Sequence, residues 1–493
     1  MVRFRRYALV VGLAAVLGTP ACGSGGGGSS SDAGAREPLP DRPRPATEGR
    51  ERGDETAAED DPQSTFALDV DTASYGYARR LITDGRRPEA DLIRPEEFVN
   101  AFDQDYPEPS GDGFAVRLDG ARLPEFHEAG PDSRLMRVGL RTRGEDAETR
   151  PDAALTFVVD VSGSMGEPGR LDLVQDSLHT LVDALRPTDS VAIVAFSGEA
   201  EVVTGMTPVA DARALHEAVD ALRTRSSTNL EAGLVLGYRV AREGFRPGRT
   251  NRVIVLSDGL ANTGDTDADG ILERVSEEAG KQIALLGVGV GSEYGDALME
   301  RLADRGDGFV VYVGEREQAR DVFVHRLPAT LAVRALDAKV QVTFDPAVVR
   351  SYRLIGYENR AVADEDFRDD RVDGGEVGPG HSVTALYEVR LTGEAPGDAR
   401  AAQVRARWLD PVSRDAAEAY ESLTVADLGG RFDAAGPRLR MCYAAGFFAE
   451  ALRGAGAVPL DSLAAVAGRA AGETGDPAVR DLTALIDRAA DLD

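Results

Sequence analysis

Four apolar runs constrain this chain more than any other feature. They are Ala154-Leu-Thr-Phe-Val-Val159, Ser190-Val-Ala-Ile-Val-Ala-Phe196, Arg252-Val-Ile-Val-Leu256 and Gln282-Ile-Ala-Leu-Leu-Gly-Val-Gly-Val290. They are rich in β-branched residues and do not alternate with polar ones. Strands of that kind have both faces buried, which points to a parallel sheet covered by helices. The segments between them have helix length. Leu171, Val174, Leu178, Leu181, Val182 and Leu185 keep helical spacing in the first. Helices are expected over 170–186, 211–222, 229–243, 268–280 and 295–304. Residues 151–328 thus read as an α/β domain with a doubly wound, mostly parallel sheet. In such a sheet ligands sit at the carboxyl ends of the strands.

The flanking segments read differently. Arg3, Arg5 and Arg6 precede the apolar stretch Tyr7–Leu17, which is too short to span a bilayer but suits a secretory signal. The stretch Leu17-Gly-Thr-Pro-Ala-Cys22 resembles the cleavage site of bacterial lipoproteins, which implies a signal over 1–22 and lipid on Cys22. Residues 23–62 are rich in Gly, Ser, Pro and charge, and are expected as a disordered tether. Residues 63–150 are expected as an N-terminal α+β module, with a helix from Thr72 and another after Pro95. Short alternating strands over 329–413 suggest a β-sandwich-like module, and 414–493 is Ala- and Leu-rich and reads as a small helical segment.

Composition removes several function classes. A formal net charge of −28 opposes a nucleic-acid backbone, so no nucleic-acid partner is expected. Cys22 and Cys442 are the only cysteines, which excludes a disulfide scaffold within the chain and a zinc cluster of the usual Cys/His type.

The chemistry concentrates where the first apolar run ends, in Asp160-Val-Ser-Gly-Ser164. Asp160, Ser162 and Ser164 carry oxygen at alternate positions, and Gly163 allows a tight turn that lets them converge. Thr228, in Ser226-Ser-Thr-Asn229, and Asp258, in Val255-Leu-Ser-Asp258, fall where the same rim can present them. Two carboxylates and three hydroxyls form an all-oxygen donor set that suits a hard cation. Mg²⁺ is the expected ion, with Mn²⁺ or Ca²⁺ as alternatives. Such an ion stays able to accept a ligand carboxylate, and that is binding chemistry without a general base.

These five residues resemble the metal-ion-dependent adhesion site of von Willebrand factor type A domains. The resemblance implies direct metal contact by the two serines and the threonine, aspartates acting through water, and an acidic ligand group completing the shell. Ser64–Tyr75, Tyr352–Arg360, Ala363–Phe367 and Gly380–Tyr387 extend it to a bacterial lipoprotein family with this domain between two further modules. The expected protein is a lipid-anchored binder of the cell envelope, facing periplasm or exterior, that captures a carboxylate of a protein partner and is not an enzyme. A scaffold with a structural metal is the alternative, and a metal-dependent hydrolase a weaker one.

The other motifs have plainer readings. Asp265-Thr-Asp-Ala-Asp-Gly270 imitates a calcium loop but lacks its acidic twelfth position, so it reads as a helix cap. Asp69 and Asp71 read as capping residues, and Asp364–Asp370 as a solvated turn. Gly287-Val-Gly-Val-Gly291 lacks dinucleotide spacing. Cys442 reads as a buried helix residue, and the five histidines as scattered.

Overall fold

The computed structural model describes residues 55–68, 70–111, 113–144, 150–258, 270–271, 283–290, 309–313, 333–370, 372, 374–393, 395–411, 413–454 and 458–492. The signal segment and Cys22 lie outside these residues, as do most of the tether and Asp265–Asp269. Of the helix expected over 268–280, the described residues 270–271 are helical, and the one expected over 295–304 lies outside.

Four strands precede the first apolar run: β1 (Thr56–Ala57), β2 (Gln63–Ala67), β3 (Phe114–Arg122) and β4 (Ser133–Thr142). Helices α1 (Ala73–Thr83) and α2 (Pro95–Asn100) lie between β2 and β3, and Pro95 starts α2 at a position that needs no N–H donor. The α/β domain then contributes β5 (Ala153–Asp160), α3 (Leu171–Ala184), β6 (Ser190–Phe196), β7 (Ala200–Pro208), α4 (Ala212–Asp220), α5 (Leu230–Glu243), β8 (Thr250–Ser257), β9 (Ala284–Val290) and β10 (Phe309–Val313). The chain closes with β11 (Ala335–Phe344), β12 (Val349–Ile355), β13 (Gly375–Val377), β14 (Ser382–Leu391), β15 (Arg400–Leu409), β16 (Ala416–Thr424), α6 (Pro437–Leu452), α7 (Leu460–Thr474) and α8 (Pro477–Ala490).

The α/β sheet has the order β10-β9-β8-β5-β6-β7. All pairs are parallel except β6 with the edge strand β7. Strand β5 sits in the middle, and successive side chains serve opposite cores. Leu155, Phe157 and Val159 join Leu178, Leu181 and Leu215 of α3 and α4. Val158, with Val194 and Val255, packs against Leu234 and Tyr238 of α5. This two-sided burial is why the run is apolar without alternation. α5 lies very close to the sheet. A Cβ at Gly237 would sit 2.3 Å from Val158 Cγ2, and one at Gly233 would meet the Phe196 ring at 2.7 Å.

The two flanking segments do not form separate modules. Their strands interleave. One sheet runs β1-β12-β14-β4-β3, and the second runs β13-β11-β15-β16 with β2 also on β11. The α/β domain is therefore an insertion between β4 and β11 of a single β-body. Phe66, Val138, Val340, Phe344, Tyr387 and Val404 fill the space between the two sheets. The other face of the first sheet, through Leu135, Ile355 and Leu386, packs on α1, α2, α6, α7 and α8. A period-2 pattern tells which face of a strand is buried, but not which strand it pairs with.

Other expectations need correction. Residues 55–62 belong to the β-body: Thr56 and Ala57 pair with Tyr352 and Ser351, and Ala58 is buried. A two-residue strand has no visible period. Residues 416–424 form a strand where a helix was expected, because pairing along the whole of β15 outweighs the helix propensity of Ala and Glu. The acidic run 364–370 is anchored. Thr65 Oγ1 donates to Asp364 Oδ1 at 2.5 Å, Lys339 Nζ donates to the Asp369 carbonyl at 2.7 Å, and Arg407 pairs with Asp370 at 2.5 Å. Asp71 is buried against Arg360, 3.2 Å away, while Asp69 lies outside the described residues. Cys442 is fully buried, with its thiol donating to Gln104 Oε1 at 2.8 Å.

Glu388 on β14 ties the first sheet to the helical layer. His127 Nε2 lies 2.6 Å from its Oε1, and Arg353 Nε donates to its Oε2 at 2.9 Å. Arg353 Nη1 in turn reaches Glu450 of α6 at 2.7 Å. Burial pushes the Glu388 carboxyl up, but His127 and Arg353 overcome this and hold it at about 2, below its ordinary 4.5. A depressed carboxyl stabilises the fold above the unfolded value, and that contribution is lost as pH falls from about 4.5 toward 2. Its full size is about 3 kcal/mol. Chemical denaturation across this window should show the loss in the wild type and a shallower slope in Glu388→Gln. Separately, Gly237→Ala should lower unfolding free energy by about 1–3 kcal/mol through overpacking against Val158.

Candidate functional site

Strands β5, β6 and β8 run parallel in register, with Asp160 opposite Phe196 and Val159 opposite Leu256. Their carboxyl ends therefore open on one edge. Asp160 is the last residue of β5, and Asp258 follows the last residue of β8. Both are fully buried (0% exposed), unlike most aspartates.

Asp160 is held on both oxygens. The Ser162 backbone N–H donates to Oδ1 at 2.8 Å, and Ser257 Oγ donates to Oδ2 at 2.6 Å. The first bond bends the loop back on itself. It brings Ser162 Oγ and Ser164 Oγ to 3.1 Å from each other. Ser162 is buried, while Ser164 is half-buried. Burial raises the Asp160 carboxyl to about 6, against the hydrogen bonds from Ser257 and Ser162, and the charge of Asp258 pushes the same way.

Thr228 is buried in the segment that precedes α5. That segment is tied to both neighbouring strand ends. Arg225 N–H donates to the Val161 carbonyl and Asn229 N–H to the Ser197 carbonyl, each at 2.6 Å. Between them Ser227 takes a left-handed conformation, φ 70°. Non-glycine residues hold that conformation only where the surroundings enforce it. Asn229 Oδ1 then caps α5 by accepting from Ala232 N–H at 3.0 Å.

Asp258 Oδ2 accepts from Arg170 Nη1 at 2.8 Å. Its Oδ1 is buried and has no hydrogen-bond partner among the described residues. A buried carboxylate oxygen without a donor is costly, which makes it the feature of this rim that calls for a cation or a bound water. The donor set fits a hard divalent ion: hydroxyls of Ser162, Ser164 and Thr228 with the carboxylates of Asp160 and Asp258. The five residues singled out in the sequence thus lie at the end of β5 and on the loops beside it, at one edge of one sheet.

Two residues escaped sequence reasoning. Ser257 had a weak signal, a polar residue closing an apolar strand. Arg170 had a better one. It occupies the N-cap position of α3, where a cation runs against the helix dipole. The histidines also proved less scattered than the sequence suggests. His179 of α3 and His216 of α4 stack, with Nδ1 atoms 2.7 Å apart, and their Nε2 atoms lie 3.2 Å from Asp220 and Asp183. No three of His, Cys, Asp and Glu among the described residues are grouped to hold a metal. Among the described residues, no helix is long and apolar enough to cross a membrane.

This sheet order and rim define a von Willebrand factor type A domain, and residues 154–324 match the family model of that description. Residues 329–492 match the model described as the C-terminal part of uncharacterized protein YfbK, and residues 48–129 the model described as von Willebrand factor. The chain thus carries a von Willebrand factor type A domain over residues 154–324. It is similar to uncharacterized protein YfbK of Escherichia coli, 36% identical over 342 residues, which are 68% of this chain and 59% of the relative. The match thus spans less than two thirds of that relative's length. Uncharacterized protein sll0103 of Synechocystis is 24% identical over 286 residues, 57% of this chain and 67% of that protein. A solved von Willebrand factor type A structure from Catenulispora acidiphila covers 75% of this chain and 89% of its own, at 17% identity and a TM-score of 0.48. Type A domains are protein-interaction domains, and this coarse role applies here.

Ser257→Ala would leave Asp160 Oδ2 one donor short inside the protein. Thermal or denaturant unfolding should show a loss of about 1–3 kcal/mol, beyond the few tenths typical of a surface serine.

Proposed function

We propose that this protein is a lipid-anchored binder of the cell envelope whose type A domain holds Mg²⁺ and captures an acidic group of a protein partner. Asp160, Ser162, Ser164, Thr228 and Asp258 would hold the ion. Bound there, a divalent ion supplies a Lewis-acid contact for a carboxylate. The protein's own part is to keep three hydroxyls and two carboxylates on one rim. The observation that carries the reading is the buried Asp258 Oδ1, which has no hydrogen-bond partner among the described residues, on the rim that also holds the paired serine hydroxyls. The half-buried Ser164 favours an ion open to a ligand over a sealed structural one. The rim offers hydroxyl and carboxylate oxygens as a donor set for a hard cation, and binding is the chemistry this set fits best. Lipid on Cys22 would hold the body at a membrane, facing periplasm or exterior.

Isothermal calorimetry with Mn²⁺ or Mg²⁺ tests the reading. Wild type should bind one equivalent and Asp160→Ala should lose it by at least about a hundredfold, the size of a lost charged ligand with its hydrogen bonds. Absence of binding by the wild type would defeat the proposal.

A further inference from the structure

We infer that Arg170 is a built-in counter-cation of this rim: it takes one oxygen of Asp258, keeps the loops assembled without metal, and leaves the loaded site positively charged toward an acidic ligand. The inference rests on the metal reading above and adds how that site is regulated by charge.

The geometry is specific. The Arg170 side chain is 4% exposed. Its Nη1 donates to Asp258 Oδ2 at 2.8 Å and to the Ser164 carbonyl at 3.1 Å. Its Nη2 lies 2.8 Å from Glu167 Oε2. One planar guanidinium thus bridges the loop after β5 and the end of β8, the two segments that carry three of the five oxygen donors. A lysine could not make this forked contact, because its ammonium is a point donor on a flexible stem.

Charge counting shows the consequence. Asp160 and Asp258 are both fully buried, and Asp258 directly follows Ser257, whose hydroxyl donates to Asp160 Oδ2 at 2.6 Å. Two ionised carboxylates without a cation would repel each other in a low-dielectric rim. Arg170 brings the buried sum from −2 to −1. A divalent ion then raises it to +1, where a rim lacking Arg170 would reach only zero. Glu167 is 65% exposed, so solvent screens its charge and it does not cancel this surplus. The arginine therefore weakens the intrinsic hold on the metal. It also leaves an unbalanced positive charge that a ligand carboxylate can neutralise. Metal and acidic ligand should bind cooperatively as a result. A pair serving only as a structural strut would not change the response to metal.

Arg170→Met and Arg170→Lys separate these roles, with Mn²⁺ as the probe in calorimetry and in thermal unfolding with and without chelator. Arg170→Met should melt lower than wild type in chelator, and Mn²⁺ should raise its melting temperature more than it raises the wild type's. Its Mn²⁺ affinity should increase by about tenfold or more, as expected for removing a unit positive charge a few ångströms away. Arg170→Lys keeps the charge and should stay within about threefold of wild type. If Arg170→Met can be purified folded only with Mn²⁺ present, that too is the expected behaviour. Wild type binding Mn²⁺ while Arg170→Met binds it equally or more weakly would overturn this inference alone. Wild type failing to bind Mn²⁺ would overturn the metal reading beneath it.

Discussion

Two aspartates are buried at the carboxyl end of a sheet whose other buried residues are mostly apolar, and the site is organised around keeping them there. Charge buried in this way needs compensating partners. Asp160 is compensated by the Ser257 hydroxyl and the Ser162 backbone N–H. Asp258 is compensated on one oxygen by Arg170. These bonds fix the loop after β5, and through it the two serine hydroxyls. The loop with Thr228 is added by backbone bonds to Val161 and Ser197. The rim is thus a set of polar groups whose positions are set by the need to satisfy buried charge.

The β-body gives this domain a frame. Because the α/β domain is inserted between β4 and β11, both of its connections return to the same body. Its first connection is pinned by Asp189, which is buried, pairs with Arg150, and accepts from Ala153 N–H at 2.7 Å and Arg186 N–H at 2.8 Å. Arg252 of β8 lies 4.0 Å from Glu376 of β13, a link from the sheet to the body. The pinned first connection and this link tie the domain to the body.

Much of this was legible in the sequence, for physical reasons. Runs such as Leu155–Val159 carry their own evidence of two-sided burial, and an aspartate ending such a run signals a site. The spacing of Asp160, Ser162 and Ser164 shows that three oxygens can meet. What stayed hidden is set by tertiary pairing. Strands β2, β3, β4, β11, β12, β14 and β15 read as strands, but the sharing of two sheets leaves no trace in a single strand's pattern. Residues 416–424 carry helix-forming alanines and became a strand only because β15 offers an edge. The role of Arg170 depends on a partner 88 residues away. His179 and His216 meet only because α3 and α4 are neighbours.

Diffraction from crystals soaked in Mn²⁺, with data collected near the manganese absorption edge, addresses the central claim most directly. The account predicts one anomalous peak among the hydroxyls of Ser162, Ser164 and Thr228, with a coordination position left to solvent. No peak there, or one only between His179 and His216, would contradict it.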